Sequence, residues 1–429
     1  MKKLNIAIAG LGTVGCGTYQ LLKDNAASIE ESIGTSIHVV AVSARDRDKP
    51  RPIDLAGVRF VEDTLALADL PDVDVVVELI GGIEGVAKNL CEKALSNGKS
   101  VVTANKAMLA HHGVALGALA EKNDVSLSFE AAACGGIPII KTMREAMVGN
   151  RILSVQGIMN GTCNYILTRM ARDHLEFADV LAQAQALGYA EADPTADVDG
   201  FDTAHKLCIL TALSFGVKPT MASVSIEGIR RISSVDLAYA AELGYRLKLL
   251  GVAKLHKDGI EQRVSPCLVP LSSTLASVDE VLNAVQLQGD AVGPLNLIGR
   301  GAGAQATASA VVGDLIDLAR GHKVNPWIRP SSSLTDFTPL PLEGRIGRWY
   351  LRLQVTDKAG VLADIAAILR DNAISIESLL QRGKQDGTGV PVIIVTHQTN
   401  EAKLRAALAQ MAVLDTVWEE PLCLRIEQE

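Results

Sequence analysis

A glycine pattern near the N-terminus constrains the fold of this chain more than any other feature. The pattern lies between the short apolar run Leu4–Ala9 and a helical stretch that extends from Gly15 to about Ile33. Its first glycine permits a tight turn, its second lets the main chain approach a pyrophosphate, and its third lets helix and strand pack closely. The helix N-terminus adds free N–H groups for phosphate. The alternative is a turn without a ligand, but the strand–turn–helix context predicts a dinucleotide site at Gly10, Leu11, Gly12, Thr13, Val14 and Gly15.

Apolar segments that recur after this turn indicate the fold class. His38–Val42, Asp74–Leu79 and Ser100–Thr103 each have the composition of a short buried strand, and helical patterns separate them. Strands that alternate with helices form a parallel sheet with right-handed crossovers. We therefore expect a doubly wound, Rossmann-type α/β domain over residues 1–130.

The rest of the chain divides by composition into further regions. Residues 131–304 mix strand-like segments with alanine-rich helices, which predicts an α+β catalytic and dimerisation domain. The apolar helix near residues 305–322 should pack back on the first domain. Residues 323–347 are rich in proline and serine, as a linker is. Residues 348–429 have the order strand, helix, strand, strand, helix, strand.

Charge and cysteine usage narrow the class of protein. The formal net charge is -8, and the sequence contains no long run of lysine or arginine, which disfavours a nucleic-acid partner. No apolar stretch is long enough to cross a bilayer. Met1-Lys2-Lys3 imitates the start of a secretory signal, but the apolar run after it is needed as the first strand. The seven cysteines include no C-x-x-C pair. We therefore expect a cytoplasmic protein with reduced thiols.

Basic residues after the second strand favour a phosphorylated cofactor. The strand ends at Val42-Ser43-Ala44-Arg45, and Arg47 and Lys49 follow. An NAD site usually places Asp or Glu here to hold the ribose, whereas an arginine fork suits the 2′-phosphate of NADP. The alternative is an ordinary solvated charge on a loop. We predict NADP, with NAD possible, and Arg45 as its 2′-phosphate contact.

An acidic stretch carries the candidate catalytic groups. Asp202 and Lys206 are four residues apart, so they share one helix face if a helix begins near Gly200. Glu191 lies on the preceding loop, which can fold back over that face. Such a pocket offers carboxylates for an ammonium group and a lysine for proton transfer. The alternative is a charged loop that caps a helix, with a surface ion pair of little energetic value.

This stretch resembles the signature of the homoserine dehydrogenase family. The likeness extends over most of residues 1–320 and includes Glu78–Gly82, Thr103-Ala104-Asn105-Lys106 and Asn160-Gly161-Thr162 in the same order. The resemblance implies that Lys206 is the proton donor and acceptor and that Lys106 is a second active-site lysine near nicotinamide and substrate. It further implies that Glu191 and Asp202 bind the amino acid and that Gly188 and Gly303 lie beside the cofactor.

The resemblance implies interconversion of L-homoserine and L-aspartate 4-semialdehyde, in threonine, methionine and isoleucine biosynthesis. Oxidation of an alcohol by hydride transfer requires removal of its proton, and we expect burial and Lys106 to lower the pKa of Lys206 for that step. One alternative is a related oxidoreductase of another small amino or hydroxy acid. Another is a nucleotide- and amino-acid-binding sensor without catalysis. Cys134 could be a thiol nucleophile, but we interpret it as a small buried residue.

Residues 129–138 form a second stretch that resembles the family. In relatives, a monovalent cation is held near the domain junction, and the resemblance implies sodium at the same place in this chain. The matching ligands would be Glu130 and the carbonyl groups of Ala133, Gly135 and Ile137. The alternative is a turn that holds no ion. A transition-metal site is not indicated, because His111 and His112 are adjacent and cannot share a helix face.

The C-terminal region resembles the ACT domain, a ferredoxin-like module that binds amino acids, often across a dimer interface. The resemblance rests on the strand Leu351–Thr356, the following turn, and the next strand at Ile374–Glu377. It implies that L-threonine is an effector that contacts Asp357, Gly360 and Asn372. The alternative is a module that only assembles subunits. We expect a monofunctional enzyme that forms a homodimer or homotetramer.

Overall fold

The first part of the chain is a parallel sheet covered by helices. The structure, a computed structural model, describes residues 2–382 and 389–427, so Met1 and residues 428–429, at the ends of the predicted first and last domains, lie outside the described residues. The elements of this part are β1 (Lys2–Ala9), α1 (Thr13–Asp24), α2 (Ala26–Ile33), β2 (Thr35–Ser43), β3 (Arg59–Phe60), β4 (Val75–Glu78), α3 (Val86–Ser96), β5 (Ser100–Thr103), α4 (Lys106–Lys122) and β6 (Leu127–Ser128). The strand order is β3-β2-β1-β4-β5-β6, and each neighbouring pair is parallel.

Alternate residues of β1 show why its sequence is continuously apolar. Ile6 and Ile8 pack on the cluster that contains residues of α1, whereas Ala7 and Ala9 pack on the cluster that contains residues of α3 and α4. A central strand of a doubly wound sheet is buried on both faces and therefore carries no polar face. The predicted α/β class and strand positions are confirmed.

The predicted helical stretch from Gly15 to about Ile33 consists of two helices, with a break at Asn25. Asn25 leaves the helical region and its N–H closes α1 on the carbonyl of Leu21. Asparagine competes with helix by local hydrogen bonding, which makes it a frequent helix terminator. The second helix then ends at Gly34, which has a left-handed φ of 68°.

The middle of the chain forms a mixed sheet with helices against it. Its elements are α5 (Ile139–Lys141), β7 (Ile152–Ile158), α6 (Gly161–Asp173), α7 (Phe177–Ala186), α8 (Thr195–Val198), α9 (Phe201–Phe215), β8 (Ser225–Ile226), α10 (Ser234–Glu242), β9 (Tyr245–His256), β10 (Gly259–Pro270), β11 (Leu282–Gly289), β12 (Gly293–Arg300) and α11 (Ala304–Ala319). Helix α9 packs on β7 and β9. A Cβ atom on Gly251 of β9 would lie 3.0 Å from the side chain of Thr203, so the glycine lets this helix approach the sheet closely.

The chain then returns to the first sheet. Val311 and Leu315 of α11 belong to the apolar cluster that covers β1. The segment after α11 is also packed rather than free, because Trp327 is fully buried and its ring N–H donates to the carbonyl of Gly113 at 3.1 Å. A Cβ atom on Gly113 would lie 2.5 Å from the Trp327 ring, so α4 needs a glycine there.

The last part of the chain has the predicted ferredoxin-like order. Its elements are β13 (Ile346–Val355), α12 (Val361–Asp371), β14 (Ile376–Gln381), β15 (Val390–Thr396), β16 (Thr399–Asn400), α13 (Glu401–Ala412) and β17 (Leu422–Ile426). Strand β17 pairs with β13 on one side and, in parallel, with β10 on the other. One sheet with the order β12-β11-β7-β9-β10-β17-β13-β15-β14 therefore joins the middle and last parts. Among the helices of residues 2–382 and 389–427, none has the length and apolarity that a membrane span requires.

Candidate functional site

The glycine turn has the shape that a pyrophosphate requires. Gly10 has φ 101°, and a Cβ atom there would lie 2.6 Å from the carbonyl oxygen of Leu79. A Cβ atom on Gly15 would lie 1.9 Å from the carbonyl oxygen of Gly10, whereas one on Gly12 would meet nothing within 4 Å. The first and third glycines are therefore required by packing, and the second faces open space at the N-terminus of α1.

A cavity of about 550 Å³ lies against this turn. Its walls include Gly12, Thr13 and the start of α11 at Ala304 and Gln305. Gly303, which precedes α11 with φ 102°, therefore lies at its edge. Gly188 is exposed on the loop after α7 and is not part of this cavity. Two helix N-termini thus border a space large enough for part of a dinucleotide.

The loop after β2 is held against the turn by an arginine that the sequence analysis missed. Arg51 donates to the carbonyl groups of Arg47 and Lys49 at 3.2 and 2.9 Å, and its Nε reaches the carbonyl of Leu11 at 3.4 Å. Lys49 and Arg51 line the cavity, whereas the predicted Arg45 is exposed and does not. Arg51 stands two residues beyond the basic cluster that was used to predict the cofactor, which is the signal that could have found it.

The two predicted catalytic lysines meet on one carboxylate. Nζ of Lys206 lies 2.7 Å from Oδ2 of Asp202, and Nζ of Lys106 lies 3.0 Å from Oδ1. Lys206 also donates to the carbonyl of Met159 at 2.7 Å. Its side chain is 9% exposed, whereas that of Lys106 is 37% exposed. Asp202 thus bridges one buried and one accessible ammonium group at the start of α9.

The charges in this cluster correct one expectation about Lys206. Burial lowers the pKa of Lys206, but the negative groups around it, among which Asp202 acts most strongly, together outweigh burial and raise the pKa above its usual value. Burial likewise favours a high pKa for Asp202, yet the ammonium groups of Lys206 and Lys106 hold its pKa far below the usual value. The expected fall in the pKa of Lys206 was therefore wrong for this arrangement, because a carboxylate stands between the two amines.

Asp197 and Asn160 extend the cluster. The side-chain amide of Asn160 donates to Oδ1 of Asp197 at 2.7 Å and to Oδ2 of Asp202 at 2.9 Å. Burial, and then the charge of Asp202, raise the pKa of Asp197. Asp197 lies in the same acidic stretch but was not predicted as a site residue. Asn160 was noted only as part of a motif.

Glu191 lies apart from this cluster. It is exposed on the loop between α7 and α8, and its carboxylate makes no hydrogen bond or ion pair within residues 2–382 and 389–427. Only its main-chain carbonyl is engaged, by the side-chain amide of Gln185 at 3.0 Å. The structure therefore brings Lys106, Asp202 and Lys206 together, whereas Glu191 makes no hydrogen bond or ion pair with these side chains.

The predicted cation ligands lie in a tight turn beside α5. The carboxylate of Glu130 accepts the N–H groups of Ile140 and Lys141 at 2.9 and 2.7 Å, and burial raises its pKa to about 7. Each oxygen of this carboxylate keeps a lone pair for a hard cation. Gly135 has φ 52°, and a Cβ atom there would lie 2.4 Å from the carbonyl oxygen of Gly301, so this turn requires glycine. This donor set, with the main-chain carbonyls of the turn, fits a monovalent cation.

Cys134 is unsuited to act as a nucleophile. It is fully buried, and burial raises the pKa of its thiol to about 11. A thiol needs thiolate character and access to attack a substrate. The interpretation of Cys134 as a small buried residue agrees with these properties.

The predicted effector residues do not form one site within a single chain. Gly360 precedes α12 with φ 99°, and Asp357 lies in the turn before it. Asn372 follows the other end of this 11-residue helix, about 16 Å away at a rise of about 1.5 Å per residue. Its side chain donates to the carbonyl of Ile368 at 2.8 Å.

Comparisons with known proteins agree along the whole chain. Family models described as "Homoserine dehydrogenase, NAD binding domain", "Homoserine dehydrogenase" and "ACT domain" match residues 10–130, 138–316 and 349–413. Homoserine dehydrogenase of Neisseria gonorrhoeae is 46% identical over 433 residues and that of Pseudomonas aeruginosa 44% over 436, with 99% or more of each chain covered.

Solved structures show the same likeness. The crystal structure of a homoserine dehydrogenase from Thiobacillus denitrificans is 44% identical with a TM-score of 0.93, and the match covers 100% of this chain and 99% of that chain. A hyperthermophilic archaeal homoserine dehydrogenase in complex with NADPH is 26% identical with a TM-score of 0.62, and it covers 75% of this chain and 99% of that chain.

Proposed function

Because the chain belongs to the homoserine dehydrogenase family, and is thus an oxidoreductase, we propose that it interconverts L-homoserine and L-aspartate 4-semialdehyde with NADP as preferred hydride carrier. This reaction would serve threonine, methionine and isoleucine biosynthesis. The observation that carries the proposal is the placement of the Lys106 and Lys206 amines on one carboxylate at the start of α9. A sensor that only binds nucleotide and amino acid has no need for two such amines.

The cluster suits reduction of the aldehyde directly. The nicotinamide supplies the hydride when bound, and the protein supplies position and field. Because Asp202 raises the pKa of Lys206, this lysine is an ammonium group at neutral pH and can donate a proton to the developing alkoxide. The second ammonium, on Lys106, stabilises the same negative charge. In oxidation of homoserine, Lys206 must first lose its proton, so this direction should accelerate as the pH rises.

The acidic residues around the lysines are suited to the amino acid. The substrate carries an ammonium group, which requires a carboxylate partner when it leaves water. Asp197 lies beside Asp202 and has no cationic partner of its own among the described residues, so it is the group best placed for this role. Asp202 would contribute through its position between the lysines, and Glu191, on the exposed loop between α7 and α8, would contribute a second carboxylate for the amino acid.

The cofactor, cation and effector sites complete the proposal. The residues Gly10–Gly15, Gly303 and Arg45 would hold NADP, with Gly188 near it. Glu130 and the carbonyl groups of Ala133, Gly135 and Ile137 would hold sodium. L-Threonine would bind where Asp357 and Gly360 of one ACT domain meet Asn372 of another, which requires a homodimer or homotetramer.

An absorbance assay tests this function. Oxidation of NADPH is followed with L-aspartate 4-semialdehyde as substrate and then repeated with L-threonine. Lys206→Ala should retain NADPH binding but lose at least ~10²-fold in kcat, because general acid catalysis contributes at least that factor. A folded Lys206→Ala protein with near-normal turnover would refute the assignment, and a wild-type protein that binds both ligands without turnover would support the sensor.

A further inference from the structure

A short segment between β8 and α10 joins the candidate active site to the ACT domain. We call residues 227–232 the strap. Its first N–H, that of Glu227, donates to the carbonyl of Val264 on β10 at 2.8 Å. Its last residue is followed by Ser233, the N-cap of α10, whose side chain and Asp236 form a capping box. The strap is therefore fixed at both ends by regular structure.

One side of the strap grips α8, the helix that carries Asp197. The N–H of Ile229 donates to the carbonyl of Val198 at 2.9 Å. A Cβ atom on Gly228 would lie 2.2 Å from that carbonyl oxygen, so the two main chains touch and a side chain has no room. Arg230 donates through two nitrogens to the two carboxylate oxygens of Asp199, at 2.5 and 3.1 Å.

These contacts of the strap are important because α8 is too short to be stable by itself. It contains four residues, too few to form a stable helix without outside contacts. The loop before it, which carries Glu191, is largely exposed. Asp197 and Asp199 are two residues apart at the end of α8, so a displacement of one carboxylate displaces the other. The position of Asp197 in the cluster therefore depends on the strap.

The other side of the strap grips the ACT domain. Arg231 donates to the main-chain carbonyls of Glu420 and Pro421 at 2.8 and 3.2 Å, and it lies 3.3 Å from the Glu420 carboxylate. These two residues lead directly into β17. Just beyond the strap, the buried Asp236 accepts from Tyr350 and Arg352 of β13, at 3.0 and 2.8 Å.

From these contacts we infer that Arg230 is a positioning residue for the amino-acid subsite and that Arg231 couples this subsite to the ACT domain. Arg230 contacts the end of α8, and the adjacent Arg231 contacts Glu420 and Pro421 at the start of β17. If an amino acid bound to the ACT domain shifts these two residues, Arg231 moves with them and displaces Arg230 and α8. This inference rests on the proposed function. It gives the bound effector a way to change the affinity for the substrate, as linkage between two sites requires.

The positioning role of Arg230 is tested by measuring KM and kcat separately. Arg230→Ala should raise the KM for homoserine by roughly 10-fold, since a small misplacement of a binding group weakens substrate binding strongly. The KM for NADP and the melting temperature should stay close to wild type, because a half-exposed ion pair contributes little to stability. Arg230→Lys keeps the charge but loses the two-bond geometry, so its KM for homoserine should lie between those of wild type and Arg230→Ala.

Arg59→Ala is the matched control. Arg59 holds Asp72 through two nitrogens at 3.4 and 2.9 Å and at similar exposure, but on the first domain. The Arg59→Ala variant should leave the KM for homoserine unchanged. An unchanged homoserine KM in Arg230→Ala would overturn the positioning role. A rise in both KM values together with a fall in melting temperature would also overturn it, because it would indicate a merely structural contact.

The Arg231 half is tested by the response to threonine. Arg231→Ala should require at least ~5-fold more threonine for half-maximal inhibition, the lower end of usual allosteric couplings. An unchanged response would overturn the coupling role. Wild-type protein reports on the proposed function separately: no turnover of homoserine would refute that function, and turnover without any threonine response would refute the effector and with it the coupling through Arg231.

Discussion

Replacing Asp202 by asparagine tests what sets the proton affinity of Lys206. Asparagine keeps the size and the hydrogen-bonding oxygen of the side chain but removes its charge. In wild type, burial lowers the pKa of Lys206, and the surrounding negative groups, with Asp202 the strongest of them, together outweigh burial. Without that carboxylate, burial and the nearby Lys106 ammonium act together, so the pKa of Lys206 should fall below its usual value.

The size of this effect follows from the geometry. Two unit charges 2.7 Å apart interact by roughly 6 kcal/mol at an effective dielectric constant of about 20, which is several times the ~1.4 kcal/mol of a tenfold change in proton affinity. Water that reaches the partly exposed Lys106 side chain weakens the field, so this value is an upper bound. We therefore expect Asp202→Asn to lower the pKa of Lys206 enough to move the pH profile of the reaction.

The assay is the pH dependence of kcat in both directions. Oxidation of homoserine needs neutral Lys206, so its rate should rise with pH and should level off at a lower pH in Asp202→Asn than in wild type. Reduction of aspartate 4-semialdehyde needs the ammonium form, so the variant should lose this activity at a pH where wild type retains it. Asp193→Asn, an exposed carboxylate in the same stretch, is the control. A variant with lower kcat but an unchanged pH profile would refute the reasoning.

Three further predictions concern the cofactor turn, the packed segment after α11 and the cofactor preference. Gly12→Ala should weaken NADP binding at least ~10-fold, measured by calorimetric titration, with little change in melting temperature. Gly15→Ala should instead lower the melting temperature of the first domain, because its Cβ atom meets the carbonyl of Gly10. Trp327→Ala should cost about 3–5 kcal/mol in the free energy of unfolding, measured by denaturant titration, and a loss no larger than that of the half-exposed Trp418→Ala would contradict its role in packing. Arg45→Ala should raise the KM for NADP roughly 10-fold and leave that for NAD unchanged, because a charged hydrogen bond contributes about 1.5–3 kcal/mol; equal effects on both cofactors would exclude contact with the 2′-phosphate.

Local patterns determined the units from which the fold is built. The glycine turn, the start of α9 after Gly200 and the strand–helix order of the C-terminal domain were all predicted from residues close together in the chain. The reason is that turn sterics, the i to i+4 spacing and alternating burial act over a few residues. The break at Asn25 between α1 and α2 was not predicted, because the apolar pattern continues across it.

Only the tertiary structure decided which charges meet and with what sign. Lys106 and Lys206 come from different helices, and the sequence suggested that one would lower the pKa of the other. The fold instead places Asp202 between them, which reverses that effect because Coulomb interactions depend on distance. The pairing of β10 with β17 and the contacts of Arg230 and Arg231 likewise join residues far apart in the chain, so no local sequence pattern predicts them.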